Sequence, residues 1–206
     1  MLRIVAISVI IGTFLIGTYY VVEASYIQPI QSDRIAGALG EVQVGLTYEK
    51  FVSLSEGERS VLVQQMPSHT ITMLLQEARN HPSFIAEKTD VIKEQSGLSE
   101  IRLVKLSQIS GLKGYDSKGE AAIIISGDKA FLRLQEFGVT SGIDQHLYLT
   151  KDGTIATGID LGRLKASQGD QYYDITGIDT ESHNVLIIYS KAFDTYYAHA
   201  KFLKTQ

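Results

Sequence analysis

The sequence predicts a mainly β protein, in which an N-terminal transmembrane helix and a short α-helical segment precede a C-terminal antiparallel β-sandwich. The C-terminal half alternates apolar and polar residues over short runs that end in glycine- and aspartate-containing turns, as strands do. The middle of the chain has helical spacing and helix-capping residues. Many short strands without a βαβ rhythm favour a sandwich or barrel over a parallel sheet.

The N-terminal segment Ile4–Val22 is uncharged and mostly apolar, and it follows Arg3. As a helix it would span about 29 Å, close to the hydrocarbon thickness of a bilayer. We therefore predict a single-pass anchor in the cell membrane. The alternative is a secretory signal peptide cleaved after Ala24, which would release the protein. In both cases Arg3 favours a cytoplasmic amino terminus, so the chain from Ser25 onward is expected outside the cytoplasm.

The segment between the anchor and the β region has two parts. Gln28–Gly45 is polar and contains glycine, which is typical of a linker, whereas the following residues have helical spacing. Short helices bury little surface alone, so they are expected to pack on the β region or on a partner. We divide the chain into an anchor or signal segment at 1–24, a linker at 25–46, a small helical region at 47–98 and a β-sandwich at 99–206.

Three helices are expected in the helical region. Ser55 and Glu58 have the spacing of a capping box at the start of the first helix, which ends before Pro67. Ser68 is placed to cap the second helix, which the sequence Asn80-His81-Pro82 stops. The third helix is expected over Phe84–Glu94.

The strands are predicted from the alternation of residues along the C-terminal half. His146 and Tyr148 fall on one face of a strand, and Leu147 and Leu149 fall on the other. Val185–Tyr189 is apolar on both faces and is therefore expected in the centre of a sheet. The predicted strands are Ala121–Ile125, Lys129–Phe137, His146–Thr150, Val185–Tyr189 and Thr195–Leu203.

The same region carries a series of motifs in a fixed order. They are Gly111–Tyr115, Gly119–Ala121, Phe131–Phe137, Thr140–Thr150, Asp160–Ala166, Gln168–Ile175 and Val185–Phe193. This ordered set resembles the DM-thirteen domain, a small all-β module also called the electron transfer DM domain and found beside DOMON domains in animals. The resemblance covers roughly residues 100–204, and it implies a β fold and a role in electron transfer.

One position departs from that family. In many members the late strand ends in a Trp-Cys or similar pair, and the cysteine is the basis of the proposed redox role. Here Tyr189-Ser190 stands in that place, so Ser190 occupies the family cysteine position. The chain contains no cysteine, and it therefore has no thiolate with which to carry electrons.

A ligand pocket is one hypothesis for the polar residues of the β region. Asp144, His146 and Tyr148 lie on or just before one strand, and Arg133 lies on a strand expected nearby. Asp144 matches the acid of the family's Pro-Asp-Leu motif, with Ile143 in place of the proline and further residues inserted after it. In the alternative interpretation Asp144 caps a turn and His146 is a half-exposed strand residue.

Two metal sites are also open as hypotheses. His69, Met73 and His81, with Met66, offer soft ligands of the kind that copper uses, although methionine in an amphipathic helix is more often a packing residue. A set of loop acids suits calcium, although aspartate is also a common turn residue. These acids are Asp152, Asp160, Asp170, Asp174 and Asp179.

Composition and missing motifs exclude several classes of function. A net charge of −4 without a basic patch argues against a nucleic-acid partner. There is no G-x-S-x-G or His-Glu-x-x-His motif, so we predict no enzyme. Without Cys-x-x-Cys-His there is no covalent haem attachment, but non-covalent haem, copper or quinone stays open. The tyrosines suit sheet packing more than electron relay or sugar stacking; they are Tyr172, Tyr173, Tyr189, Tyr196 and Tyr197.

The function expected from these observations is binding or assembly at the cell surface, without catalysis and without an assigned cofactor. One alternative is a redox protein that holds a non-covalent cofactor or copper. Another is an accessory subunit whose anchor packs beside other helices of a membrane complex, because small residues such as Gly12 and Gly17 permit close approach.

Overall fold

The computed structural model of the chain describes residues 33–97 and 100–203. The chain forms two compact units, which divide between Ser53 and Leu54. In the described part of the first unit, residues 33–42 form helix α1 and Tyr48–Ser53 form helix α2. Helix α1 falls within the stretch expected to be a linker. Ile35 and Leu39 are both buried and lie one helical turn apart, a spacing that the glycine and polar content of the stretch obscured.

The second unit begins with three helices, α3 (Glu56–Gln65), α4 (Ser68–Arg79) and α5 (Asp90–Ser96). The predicted capping box is confirmed: the Ser55 backbone N–H donates to Glu58 Oε2 at 2.9 Å, and the Glu58 N–H donates to Ser55 Oγ at 3.4 Å. Ser68 is the first residue of α4 and makes no side-chain cap, so its predicted capping role is wrong.

The third helix is shorter than the sequence predicted. It begins only at Asp90, because the chain before it is extended and bonded to the β region. The backbone N–H of Ile85 donates to the Gln168 carbonyl at 3.1 Å, and that of Glu87 donates to the Asp170 carbonyl at 2.9 Å. These tertiary hydrogen bonds replace the helical ones that local spacing favoured.

The β region follows as nine strands joined into two antiparallel sheets. The strands are β1 (Arg102–Gln108), β2 (Ser110–Gly111), β3 (Ser117–Ser126), β4 (Lys129–Val139), β5 (Gln145–Thr150), β6 (Ile159–Arg163), β7 (Gln171–Asp174), β8 (Val185–Ser190) and β9 (Thr195–Lys201). One sheet has the order β1-β3-β4-β7, and the other has the order β2-β9-β8-β5-β6. The mainly β prediction is confirmed.

The core lies between the two sheets, as in a sandwich. Ile123 and Leu132 come from the four-stranded sheet, and Leu147 and Ile188 come from the five-stranded sheet, in one buried cluster. Strand β8 lies between β9 and β5, as expected for a strand that is apolar on both faces. Because the inner face of β5 belongs to this core, its alternate residues point to the outer face of the sheet.

The helices after Leu54 belong to the same compact unit as the sandwich. Ile92 of α5 is buried in a second apolar cluster, with Ala122, Ile124, Phe131 and Tyr172 of the four-stranded sheet. Glu87 accepts from the Tyr172 backbone N–H at 2.7 Å. The helical region and the sandwich, which the sequence divided between 98 and 99, thus pack together within one compact unit.

Within residues 33–97 and 100–203, every helix is too short or too polar to cross a bilayer. The predicted anchor, Ile4–Val22, lies outside the residues that the structure describes.

Candidate ligand site

The candidate site lies on the outer face of the five-stranded sheet, where β5 presents His146 and Tyr148. Leu147 and Leu149 alternate with them and lie in the sandwich core. The ring centroids of His146 and Tyr148 are 6.4 Å apart, as the shared face predicts. The His146 side chain is only 7% exposed, although it does not face the core.

Asp160 of the neighbouring strand β6 links these two rings. Both of its carboxylate oxygens lie 3.1 Å from His146 Nδ1, and Oδ2 accepts from the Tyr148 hydroxyl at 3.1 Å. Partial burial raises the pKa of Asp160, but hydrogen bonds from His146, Gly162 and Lys191 outweigh it and hold the pKa below its usual value. Burial and Asp160 together raise the pKa of Tyr148 to about 12. Asp160 is thus a carboxylate and Tyr148 a neutral phenol at physiological pH.

Asp144 precedes β5 and is fixed by two arginines. Its Oδ1 accepts from Arg59 Nη2 at 2.9 Å and from Arg163 Nη2 at 2.5 Å. The side chains of Asp144 and Arg59 are buried, whereas that of Arg163 is 55% exposed. A buried carboxylate requires such partners to remain charged. Asp144 therefore does more than cap a turn, although its φ of 57° does place it in a left-handed bend.

Helix α3 supplies the remaining side of the site. The capping box fixes its first turn, from which Glu56 and Arg59 project on the same helical face because they are three residues apart. Arg59 also donates from Nη1 to the Leu54 carbonyl at 2.7 Å. Glu56 Oε1 lies 2.7 Å from Lys191 Nζ, and this hydrogen bond is the main cause that raises the pKa of Lys191.

Among the buried atoms of the site that have no hydrogen-bond partner in the described residues is the Nε2 atom of His146. It lies 3.8 Å from Asp144 Oδ1 and 3.9 Å from Glu56 Oε2, too far for hydrogen bonds. A carboxylate is an acceptor only, so Nδ1–H of His146 donates to Asp160. The tautomer that carries its proton on Nδ1 has a lone pair on Nε2. Three electron-rich groups, Glu56, Asp144 and His146, thus converge with ligand atoms within 4.8 Å of one another.

Arg133 is not part of this site. It lies on β4, in the four-stranded sheet, where its Nη2 is 3.3 Å from Asp170 Oδ2 and its guanidinium lies over the Tyr172 ring. Strand β4 pairs with β3 and β7 in the other sheet, and its Leu132 and Leu134 meet β5 in the core, whereas Arg133 alternates with them and points to the opposite face.

The predicted soft-metal residues lie on and after α4. His81 Nε2 is 3.0 Å from Glu77 Oε1, and His69 is exposed. Met73 is half-buried and Met66 is fully buried, as packing residues are. Among the described residues, His69 and His81 belong to no group of three histidine, aspartate or glutamate ligands.

Most of the loop acids accept hydrogen bonds from groups in their own turns. Asp152 accepts from the Thr154 N–H at 3.0 Å and from the Thr157 hydroxyl at 2.6 Å. Asp174 and Asp179 likewise accept from N–H groups two residues ahead. This is the turn role that the sequence offered as the alternative to calcium binding. Asp160 differs, because it belongs to the candidate site.

Ser190 ends β8 and is completely buried. Its hydroxyl donates to the Ile143 carbonyl at 2.7 Å. The residue at the family cysteine position is therefore a structural hydrogen-bond donor between β8 and the segment that leads into β5.

The sequence brought Asp144, His146 and Tyr148 together correctly, but it missed four residues that contact them or their partners. Asp160 was considered only as a loop acid, although the pairing of Tyr148 with Asp160 follows once β5 and β6 are taken as a hairpin. The residues that it missed are Glu56, Arg59, Arg163 and Lys191.

Two antiparallel sheets packed over one core define a small β-sandwich domain. A protein-family model described as Electron transfer DM13 matches residues 111–202, so this part of the chain is similar to the DM13 domain. No curated protein and no solved structure matches the chain. Asp144, His146, Asp160, Arg163 and Lys191 lie inside the matched range, whereas Glu56 and Arg59 precede it. The candidate site therefore joins the family domain to helix α3.

Proposed function

We propose that the chain is a binding or assembly protein of the cell surface, held in the membrane by Ile4–Val22, and that its DM13 domain binds rather than transfers electrons through sulfur. The observation that carries the proposal is Ser190, a buried hydroxyl at the family cysteine position in a chain without cysteine. A serine hydroxyl has no counterpart to the stepwise oxidation of a thiol.

The outer face of the five-stranded sheet supports a binding role. Its three carboxylates, Glu56, Asp144 and Asp160, are each paired with a cation. The exposed side chains at the rim, Arg163 and Glu56, give a partner access to the buried groups.

Absorption spectroscopy and voltammetry of the full chain in mild detergent test the proposal. We expect no visible band and no reversible couple in the physiological range. A reversible redox couple that persists after added metals are removed would contradict the proposed function. For the binding role, we expect chemical cross-linking in membranes to capture a protein partner. We expect Arg163→Ala to reduce the yield of that cross-linked product. Lys88→Ala is the matched control, because Lys88 is also an exposed cation but lies outside the site.

A redox role has one structural observation in its favour, a line of tyrosine rings on the same face. Tyr148 and Tyr189 are 6.1 Å apart between centroids, and Tyr189 and Tyr196 are 5.0 Å apart. The Tyr189 hydroxyl donates to Asp194 Oδ1 at 2.5 Å. Burial and Asp194 raise its pKa, so the phenol is neutral at physiological pH.

In this second function, an external one-electron oxidant removes an electron from Tyr189 and the phenol proton passes to Asp194. Electron paramagnetic resonance after chemical oxidation should then show a tyrosyl radical that Tyr189→Phe removes. Tyr173→Phe serves as the control, because that phenol hydrogen-bonds to Gln171 rather than to a carboxylate. An identical radical signal in the wild type and Tyr189→Phe would exclude this route.

A further inference from the structure

We propose that helix α3 and the DM13 domain together form a site for a divalent transition-metal ion such as Zn²⁺, with His146 Nε2 and the carboxylates of Asp144 and Glu56 as ligands. The site goes beyond the function proposed above, since it depends neither on the anchor nor on Ser190.

The orientation of His146 is the first argument. A metal-bound histidine usually donates its other ring N–H to a carboxylate, which fixes the ring and the tautomer. Asp160 provides that carboxylate, with both oxygens 3.1 Å from Nδ1. Asp160 is held in turn by the Tyr148 hydroxyl and the Gly162 N–H. The ring is therefore set with Nε2 directed toward Asp144 and Glu56.

The unfilled position at Nε2 is the second argument. Leaving a buried polar atom without a partner is unfavourable. His146 is more than nine-tenths buried, and Nε2 makes no hydrogen bond to any residue that the structure describes. The Oδ2 atom of Asp144 is also buried without such a partner. A cation between His146 and Asp144 would give Nε2 the partner that it lacks.

The charges around the site determine how tightly an ion binds. Arg59 is buried against Asp144 and holds that carboxylate in place. Arg163 and Lys191 compete with the ion, because they contact Asp144 and Glu56 directly. Both have long side chains with substantial exposure, so they can turn into solvent when the ion enters. Removal of the Arg163 charge should therefore strengthen metal binding.

The ligand atoms indicate the class of metal. One imidazole nitrogen with carboxylate oxygens and no sulfur suits Zn²⁺ or Co²⁺ better than Cu⁺, which prefers thiolate and thioether ligands. Calcium takes oxygen ligands only, and the histidine argues against it. Glu56 is 47% exposed, which leaves an entry path and room for water to complete the coordination.

Titration of the metal-free full chain with Zn²⁺ by calorimetry, and with Co²⁺ by visible absorption, tests the site. We expect one ion per chain and a loss of affinity of about tenfold or more in His146→Asn and Glu56→Gln. Arg163→Gln should raise the affinity. His81→Asn is the matched control, because His81 also contacts a glutamate but lies outside the site, and it should bind as the wild type does.

Stoichiometric binding that survives both His146→Asn and Glu56→Gln would overturn the proposal, and so would loss of the ion in His81→Asn. Weaker metal binding in Arg163→Gln would contradict the argument that Arg163 competes with the ion, and it would therefore contradict the proposed site. Glu56 is half-exposed at the start of a helix, so Glu56→Gln is expected to fold even if His146→Asn does not. Because Zn²⁺ has no redox chemistry, these outcomes do not depend on the voltammetry that tests the proposed function.

Discussion

The Ser190 hydroxyl donates to the Ile143 carbonyl at 2.7 Å, and both groups lie in the interior of the sandwich. Strand β8 is thereby tied to the segment that leads into β5, just before Asp144. A buried carbonyl that loses its donor is costly to folding. The residue at the family cysteine position therefore helps to set the start of the strand that carries the candidate site.

We predict that Ser190→Ala lowers the free energy of unfolding by about 1–3 kcal/mol, because it leaves the Ile143 carbonyl without this donor. Denaturant unfolding of the full chain measures the change. Ser190→Cys restores the family residue, but the thiol is a weaker donor than the hydroxyl, so part of the loss should remain. Wild-type stability in Ser190→Ala would show that the hydrogen bond contributes nothing net.

The two arginines on Asp144 should differ in their effect on stability. Arg59→Met removes the buried cation that pairs with the Asp144 carboxylate. In comparable buried ion pairs, loss of one partner lowers the free energy of unfolding by about 3–5 kcal/mol. Arg163→Gln removes an exposed partner and should change stability by about 1 kcal/mol or less. Chemical unfolding of the two variants compares them directly, and equal losses would contradict the assignment of Arg59 as the main partner.

Local pattern was enough to predict most of the sandwich. Strand β8 was predicted over Val185–Tyr189 and extends over Val185–Ser190. The prediction was nearly complete because the strand is a continuous apolar run, which can be recognised from neighbouring residues alone. The same alternation placed His146 and Tyr148 on one face. The extended stretch before α5 was missed, because the partner of Ile85 is the Gln168 carbonyl, which no local pattern reveals.

The contribution of α3 to the site could not be predicted in this way. Arg59 and Asp144 are 85 positions apart in the sequence. The capping box indicated where α3 begins, and helical spacing places Glu56 and Arg59 on one face. It carried no information about which strand that face contacts, since this depends on how the whole unit packs.

The sandwich should depend on the helical segment that precedes it. We predict that a fragment starting at Ser99 is less stable than one starting at Leu54, because it lacks Ile92, which packs on Phe131 and Tyr172. Far-UV circular dichroism and denaturant unfolding compare the two fragments. Ile92→Ala in the full chain should cost about 2–5 kcal/mol, in line with other buried aliphatic truncations. Equal stability of the two fragments would show that the sandwich is self-sufficient.

The N-terminal segment should anchor the protein rather than be removed. We predict that the native protein sediments with membranes and resists alkaline extraction, since Ile4–Val22 is long enough to span the bilayer. Intact-mass measurement decides between the two alternatives. A mature chain that starts at Ser25 would rule out the anchor and leave only the export of the protein in place.

Asp152 provides a test of stability against pH outside the candidate site. Hydrogen bonds from Thr157 and Thr154 lower its pKa to about 2. A carboxyl whose pKa is depressed on folding stabilises the fold above its unfolded value, and this contribution is lost as the pH falls through the folded value. We predict that Asp152→Asn destabilises the protein at pH 7, and that the difference from wild type shrinks between about pH 4 and pH 2. Unfolding measured as a function of pH tests the sign, and an unchanged difference at low pH would show that the carboxylate charge is not the cause. Asp128→Asn is the matched control, because Asp128 also lies in a turn beside a glycine.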